Sequence, residues 1–237
     1  MKYFLSLLLL TIAPISLSAA YDLFKKNPYS THQPVLYAVV KSTSGPVIEF
    51  GTGFGSTDLL HEMCKKEGRI LISLDDDREW LSKFKKKYLG DGYKKDNSGW
   101  HKFYYVPGRN GESPNHWVNF INNCKLIQDL TFDVCFIDQA PWLARFETLK
   151  LMKEKSLFIL VHDVDYFARN KIFGTEIKQV TQDTPGIYDF SDVLTHSKTY
   201  FPNAPWVCET GPPTLLGSQF TNDFPKVDFS SEIVIEE

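Results

Sequence analysis

No C-x-x-C pair occurs in the chain, and no cysteines and histidines fall at zinc-ligand spacing. Zinc ribbons and dithiol redox centres are therefore excluded from the readings. Only Cys64, Cys124, Cys135 and Cys208 are present among 237 residues. Four cysteines allow three disulfide pairings in an oxidising compartment, and spacing selects none of them. Cys135 lies in an apolar run that reads as a core strand and Cys64 in a predicted helix, so buried free thiols are at least an equal expectation. An excess of charge is also missing: 26 Lys and Arg against 29 Asp and Glu leave a formal charge of −3. Without a basic surplus the chain lacks the footprint of bulk nucleic-acid binding, and no nucleic-acid partner is expected. The one basic stretch, Lys83, Lys85 to Lys87 and then Lys94 and Lys95, reads first as a solvated helix face and second as a site for an anionic partner. Internal repeats and low-complexity segments are lacking too. A chain of this length suits one domain with a full core.

Long apolar runs are scarce, with one exception. After Lys2 the sequence YFLSLLLLTIAPISLSAA carries about a dozen core apolar residues, fewer than a comfortable membrane span needs, and Pro14 interrupts them. Ser18 and Ala20 offer small side chains at the −3 and −1 positions of a cut after Ala20. The expectation is a signal peptide over residues 1–20 and a domain over 21–237, with an uncleaved membrane anchor as the alternative. A cleaved leader implies a secretory or exported location and no stable membrane association.

What is present is concentrated between Pro46 and Asp77. Pro46 to Phe50 is a short, partly β-branched apolar run of the kind buried in a parallel sheet. Gly51, Gly53 and Gly55 follow at once, a turn whose backbone a ligand can approach. Ser56 or Thr57 then opens a predicted helix to about Lys66, with its first amides directed at whatever the turn holds. Gly68 ends that helix, Arg69 to Leu74 reads as a second strand, and Asp75 stands at its tip. An acid about twenty residues past the glycines is where a ribose-binding carboxylate belongs. The dinucleotide fingerprint G-x-G-x-x-G is not matched, because Ser56 occupies the third glycine position.

Val47-Ile48-Glu49-Phe50-Gly51-Thr52-Gly53-Phe54-Gly55 resembles the first motif of the class I S-adenosylmethionine-dependent methyltransferases, in which an acidic residue precedes G-x-G-x-G. ILISLDDD resembles that family's second motif, and FDVCFID, ending at Asp138, its fourth. The resemblance covers roughly Gln33 to Asp165. It implies an α/β fold: a Rossmann-like, doubly wound, mostly parallel sheet with an antiparallel last strand. It also implies S-adenosylmethionine as cofactor, with Glu49 ordering the turn, Gly51, Gly53 and Gly55 giving backbone access, Asp75 on the ribose and Asp138 near the methyl donor.

The remaining segments fit this frame. His32 to Lys41 has helical apolar spacing; in the resembling family a helix here covers the cofactor, so that His32 and Gln33 line the pocket, but packing on the sheet edge is the preferred expectation. Arg78 to Leu89 reads as an amphipathic helix, His101 to Val106 as a third strand and Ser113 or Pro114 to Cys124 as a further helix. Relatives often carry an adenine-binding acid after the third strand. This chain has Pro-Gly-Arg-Asn there, which leaves that contact to Asn110 or a backbone carbonyl. Ser156 to Val161 is a fifth strand, followed by His162 and Asp163. Lys171 to Asp183 is predicted helical, and 191–200 and 214–218 are predicted to pair as final strands, with the proline- and aromatic-rich segment between them over an acceptor pocket or simply crossing it.

The His-Asp pair resembles small-molecule O-methyltransferases, which implies His162 and Asp163 as catalytic, acceptor-side residues. His162 would be a general base, or equally a structural histidine. In metal-dependent members two strand-end acids and an Asn hold magnesium. Asp138 and Asp163 match, but Val164 stands at the Asn position, so a divalent metal is possible but not favoured and no metal ligands are assigned. N-P-P-Y, the mark of amino-directed members, is absent; P-W-L-A follows Asp138-Gln139-Ala140 instead. The expected activity is methyl transfer from S-adenosylmethionine to a small-molecule acceptor, at a hydroxyl oxygen. The alternative is an exported, non-catalytic binding or interaction protein that retains the fold.

Overall fold

The computed structural model describes residues 19–21, 30–90, 99–111, 113–164, 193–200, 212–229 and 233–235. In chain order the elements are β1 (Ala19–Tyr21), α1 (Gln33–Lys41), β2 (Val47–Phe50), α2 (Thr57–Glu67), β3 (Leu71–Asp75), α3 (Arg78–Leu89) and β4 (His101–Tyr105). There follow α4 (Asn115–Asn123), α5 (Lys125–Asp129), β5 (Phe132–Ile137), α6 (Trp142–Met152), β6 (Ser156–His162), β7 (His196–Tyr200), β8 (Thr214–Ser218) and β9 (Ile233–Ile235). The predicted helix over 171–183 and most of the segment between β7 and β8 lie outside the described residues.

Seven strands form one sheet in the order β4-β3-β2-β5-β6-β8-β7. The pairs from β4 through to β6 are all parallel, and β8 runs antiparallel to both its neighbours. Numbered along this sheet alone, the order is 3-2-1-4-5-7-6 with only the last strand reversed. This is the Rossmann-like, doubly wound α/β sheet of the class I methyltransferase fold. The chain leaves β2 in one direction to build β3 and β4, then returns to the other side of β2 to build β5 and β6. That reversal opens a crevice at the carboxyl ends of β2 and β5, the place where open parallel sheets take their ligands.

Strand alternation divides the core in two. Ile48, Phe50, Ile72, Leu74, Cys135 and Ile137 face α4, α5 and α6, where Trp117, Ile127 and Leu149 are fully buried. Val47, Leu71, Val134, Phe136 and Leu160 face α1 and α2, against Val35, Leu36, Leu59 and Leu60. By the same period of two, Glu49, Ser73, Asp75, Asp138 and His162 belong to the α1–α2 face. The chemistry-bearing residues therefore share one side of the sheet.

The expectation that α1 sits on a sheet edge is corrected here. Its buried residues pack in the same cluster as Val134 and Phe136 of the central strand β5. Arg69 fixes its C-terminal end, donating from Nη1 to Val40 O at 2.8 Å and from Nε to Gly45 O at 2.7 Å. Among the described cysteines, Cys64, Cys124 and Cys135 are free thiols; Cys208 lies outside them. Ala19–Tyr21 pairs antiparallel with Ile233–Ile235 as a separate two-stranded ladder that spans the expected cut after Ala20. Among the described residues no helix is long and apolar enough to cross a membrane.

Candidate functional site

The glycine turn is held from below by Glu49. Its carboxyl is fully buried and accepts hydrogen bonds from Ser56 Oγ at 2.5 Å, Thr57 Oγ1 at 3.0 Å and Ser73 Oγ at 2.7 Å. Burial outweighs those hydrogen bonds and pushes the carboxyl up to about 8. Thr57 Oγ1 also accepts from Gly53 N at 2.9 Å, so Glu49, Thr57 and the turn form one rigid unit. Ser73 continues the polar contacts to His101 Nε2 at 3.0 Å, and His101 meets His61 through their Nδ1 atoms at 2.8 Å. Burial pushes both imidazoles below their ordinary range, which keeps this chain of contacts neutral.

Within the turn the glycines differ in what they face. Gly51 has φ +88°, and a Cβ there would stand 2.7 Å from the backbone of Asp138 and Gln139. A Cβ on Gly53 would meet only Ser56 Oγ, at 3.7 Å, so the space in front of it is open. Gly55 lies under Ser30 and the His32 ring, and its carbonyl accepts from Gln33 Nε2 at 2.6 Å.

Asp75 is tied directly to this turn. Its Oδ2 accepts from Thr52 N at 2.8 Å and Thr52 Oγ1 at 2.6 Å, and its Oδ1 accepts from Asp77 N at 2.9 Å. Burial raises the carboxyl above its usual value against the pull of these bonds. Trp80 Nε1 donates to Thr52 O at 2.6 Å, and the exposed Phe54 ring packs on Trp80 and Phe84. Asp77 caps α3 by accepting from Trp80 N at 2.8 Å. Asp76 turns the other way, to His116 Nε2 at 2.8 Å and Arg109 at 3.5 Å. Beside that pair lies a cavity of about 450 Å³ lined by Pro107, Gly108, Asn110, His116 and Phe120 among others.

On the other side of β2, Asp138 and Asp163 are joined by Arg145, the fourth residue of α6. Its Nε donates to Gln139 O at 2.9 Å. Its Nη1 donates to His162 O at 2.7 Å and Asp163 Oδ2 at 3.0 Å, and its Nη2 to Asp138 O at 3.3 Å and Oδ1 at 2.9 Å. All five guanidinium donors are thus used. Asp163 adopts φ +55°, a left-handed conformation unusual for a side chain other than glycine and found disproportionately at functional sites. His162 places Nδ1 3.3 Å from Asp138 Oδ1 and 3.5 Å from Asp163 Oδ1, with Nε2 3.2 Å from Thr31 Oγ1. Burial alone would raise the Asp138 carboxyl, but His162 and Arg145 hold it down to about 2. Its side chain is 25% exposed, whereas His162 is buried.

His32, the residue that opens α1, completes this end. Its ring lies 4.8 Å from Phe136 and 4.4 Å, edge on, from His162. Neither of its buried ring nitrogens makes a hydrogen bond of normal geometry, and the Gly55 backbone offers one of them no more than a weak contact. Burial, and then the neighbouring His162, push its pKa down to about 3.

The residues singled out by sequence thus fall along one crevice: Glu49 beneath the turn, Gly51 against Asp138, Asp75 on Thr52, and His162 and Asp163 at the far end with Asp138. Val164, at the position of the family's third metal ligand, is a core residue with no exposure, and Asp165 lies outside the described residues. Sequence reasoning did not single out Thr31 or Thr52, and nothing in the local pattern signals the five-fold role of Arg145. A polar residue at an inward position of an apolar strand, as Ser73 is, was the one available signal for the bonds under the turn.

No protein-family model matches the chain, and no curated protein matches it in sequence. Among solved structures it is similar to the methyltransferase domain of the bacterial protein CtHen1, at 12% identity and TM-score 0.48, over 81% of this chain and 98% of that one. It is similar to a human methyltransferase 10 domain containing protein at 14% identity and TM-score 0.41, over 78% of each chain. A probable spermidine synthase from Corynebacterium glutamicum matches at 10% identity and TM-score 0.45, over 81% of this chain and 64% of that one. At these values the chemistry has to come from this chain's own residues.

Proposed function

We propose that the chain binds S-adenosylmethionine across the β2–β5 crevice and directs methyl transfer to a hydroxyl oxygen of a small molecule. One observation carries the reading: Thr52, inside the glycine turn, is bonded to Asp75 while Gly51 lies against the backbone at Asp138, so turn and both carboxylates belong to one mouth. The residues present fit an adenosyl donor. Gly53 leaves the front of the turn open, Oδ1 of Asp75 keeps a lone pair for a ribose hydroxyl while Oδ2 is taken up by Thr52, and Asp138 presents an ionised carboxylate toward solvent. The cavity beside Asp76 is the candidate seat for adenine, with Asn110 among its polar lining residues.

When bound, the donor would supply a methyl group on a positively charged sulfur, the electron pair of the broken carbon–sulfur bond would stay on that sulfur, and the proton of the acceptor hydroxyl would pass to a group at the acceptor end or to water. The chain's part is chiefly positional, and orienting two reactants can contribute several kcal/mol. Glu49 keeps the turn rigid, Asp75 orients the ribose and Asp138 offsets the donor's charge. His162 and Asp163, both held by Arg145, form the acceptor end. A second reading, an exported binding protein that keeps the fold without the chemistry, draws its support from the leader-like pattern over 1–20.

Calorimetric titration of the purified protein with S-adenosylmethionine and with its demethylated product separates the two. Saturable heat is expected for both ligands, and Asp75→Ala should weaken binding by about 1–3 kcal/mol. No heat at millimolar ligand overturns the methyl-transfer reading in favour of the binding protein, and unchanged affinity in the variant rejects the ribose assignment.

A further inference from the structure

We propose that His32, Asp138 and His162 hold a divalent first-row transition-metal ion at the acceptor end of the crevice. One ligand atom from each of the three lies within 4.8 Å of the others. They arrive from three separate elements, the start of α1 and the tips of β5 and β6, and strand alternation sets all three on the same face of the sheet. This is not the set that the resemblance to metal-dependent methyltransferases suggests, whose third position is the core residue Val164.

Two observations point to a ligand there. The first is the His32 imidazole, buried with at most a weak contact to the Gly55 backbone, so that at least one ring nitrogen is left without a partner. An unsatisfied buried polar group costs about 1–3 kcal/mol, and its retention calls for a partner. Its depressed pKa leaves the ring neutral, with a lone pair to give.

The second is the proton count at His162. Thr31 Oγ1 lies 2.5 Å from Pro212 O, which can only accept, so the single hydroxyl hydrogen of Thr31 is used there. Thr31 must then accept from His162, which places a hydrogen on Nε2 at 3.2 Å. In the neutral ring the Nδ1 lone pair consequently faces two carboxylate oxygens, Asp138 Oδ1 at 3.3 Å and Asp163 Oδ1 at 3.5 Å. That arrangement requires a positive centre, either a proton on Nδ1 or a metal ion beside it. A proton there would satisfy His162 but leave the His32 lone pair without a partner; a metal ion takes up the lone pairs of both rings.

Charge and donor type agree. The carboxylates of Asp138 and Asp163 face one guanidinium, Arg145, so a net negative charge remains for a cation. Arg145 and His162 both address Oδ1 of Asp138, which leaves Oδ2 to coordinate. Two imidazoles with one carboxylate suit zinc, manganese, iron or cobalt rather than magnesium or calcium, which prefer oxygen alone. Three protein ligands leave coordination positions open, as at catalytic rather than structural sites. An acceptor hydroxyl bound in an open position would lose its proton more readily. This last step rests on the methyl-transfer reading, and under it His162 acts as a ligand; binding of the ion itself does not depend on that reading.

The test is titration of the full-length, tag-free protein, stripped with a chelator, with Co²⁺ while its ligand-field absorption is followed. Saturation at one ion per chain is expected, with a spectrum unlike that of the aqueous ion. His32→Gln and Asp138→Asn, each checked for folding by circular dichroism, should weaken Co²⁺ binding by at least about tenfold, since even outer ligand-orienting groups have effects of that size. His196→Gln, on β7 outside the cluster, should bind as the parent protein does. The proposal is overturned if Co²⁺ shows no saturable spectrum, if folded His32→Gln binds it normally, or if His196→Gln loses it equally. Calorimetry with S-adenosylmethionine on the stripped protein keeps the two claims apart: donor heat without Co²⁺ binding rejects only the ion, and Co²⁺ binding without donor heat rejects only the methyl-transfer reading.

Discussion

At Gly51 a Cβ would stand 2.7 Å from the backbone of Asp138 and Gln139, and φ is +88°. Neither the neighbouring strand end nor the conformation can yield cheaply. Gly51→Ala is therefore expected to destabilise the fold by about 1–3 kcal/mol, the usual scale for a strained backbone position. Gly53 is different, because only Ser56 Oγ, at 3.7 Å, lies near its missing Cβ. Gly53→Ala should leave the melting temperature close to that of the parent yet lower S-adenosylmethionine affinity by about tenfold or more, as the methyl enters the space kept for the donor. Thermal melts and calorimetry on the pair check this, and a Gly53→Ala protein that binds normally would show that the donor does not approach the turn. The sequence spaced these glycines alike. Their unequal roles became visible only once β5 lay beside the turn.

Among the elements, α6 contributes most to the site, and it does so through one side chain. Arg145 reaches from its first turn to both strand tips, and its buried guanidinium has no unused donor. Arg145→Met should cost about 3–5 kcal/mol, because removing one partner leaves Asp138 and Asp163 without their counter-charge. Arg145→Lys should recover only part of that loss, since an ammonium cannot reproduce the planar fork. Urea unfolding of the three proteins measures it, and a loss under about 1 kcal/mol for the methionine variant would remove Arg145 from this role. Element boundaries were legible where local chemistry marks them. α3 runs over the predicted Arg78–Leu89 because Asp77 caps its start and Gly90 follows its end. The helix predicted to about Cys124 ends at Asn123 as expected, but a further short helix, α5, begins at Lys125 because Cys124 turns extended with ψ 101°. Nothing in the local sequence marks that break; it lets α5 bury Ile127 in the core.

For the molecule as a whole, Glu49 makes stability depend on pH in an unusual direction. Burial lifts its carboxyl from an ordinary 4.5 to about 8, so the folded chain keeps a proton that the unfolded chain releases. That contribution is complete below about 4.5 and is lost as pH rises toward about 8. Asp138 acts in the opposite sense: held down to about 2, its contribution is present above the usual carboxylate value and disappears as pH falls through about 2. Glu49→Gln should flatten the decline on the alkaline side, which unfolding free energies across that interval would register; an unaltered slope would mean that Glu49 is ionised when folded. The parallel sheet with its reversed last strand was implied by the family resemblance; the sequence by itself determined the strand, turn, helix, strand unit and the acid at each strand tip. Those features follow from periodicity, glycine and capping, which act between near neighbours along the chain. Only the tertiary structure decided that α1 crosses the central strands, bringing His32 within reach of Asp138 and His162, and that Arg145 joins two strand ends. Residues more than a hundred positions apart meet there because two helices dock on opposite faces of one sheet, and no local pattern encodes where a docked helix comes to rest.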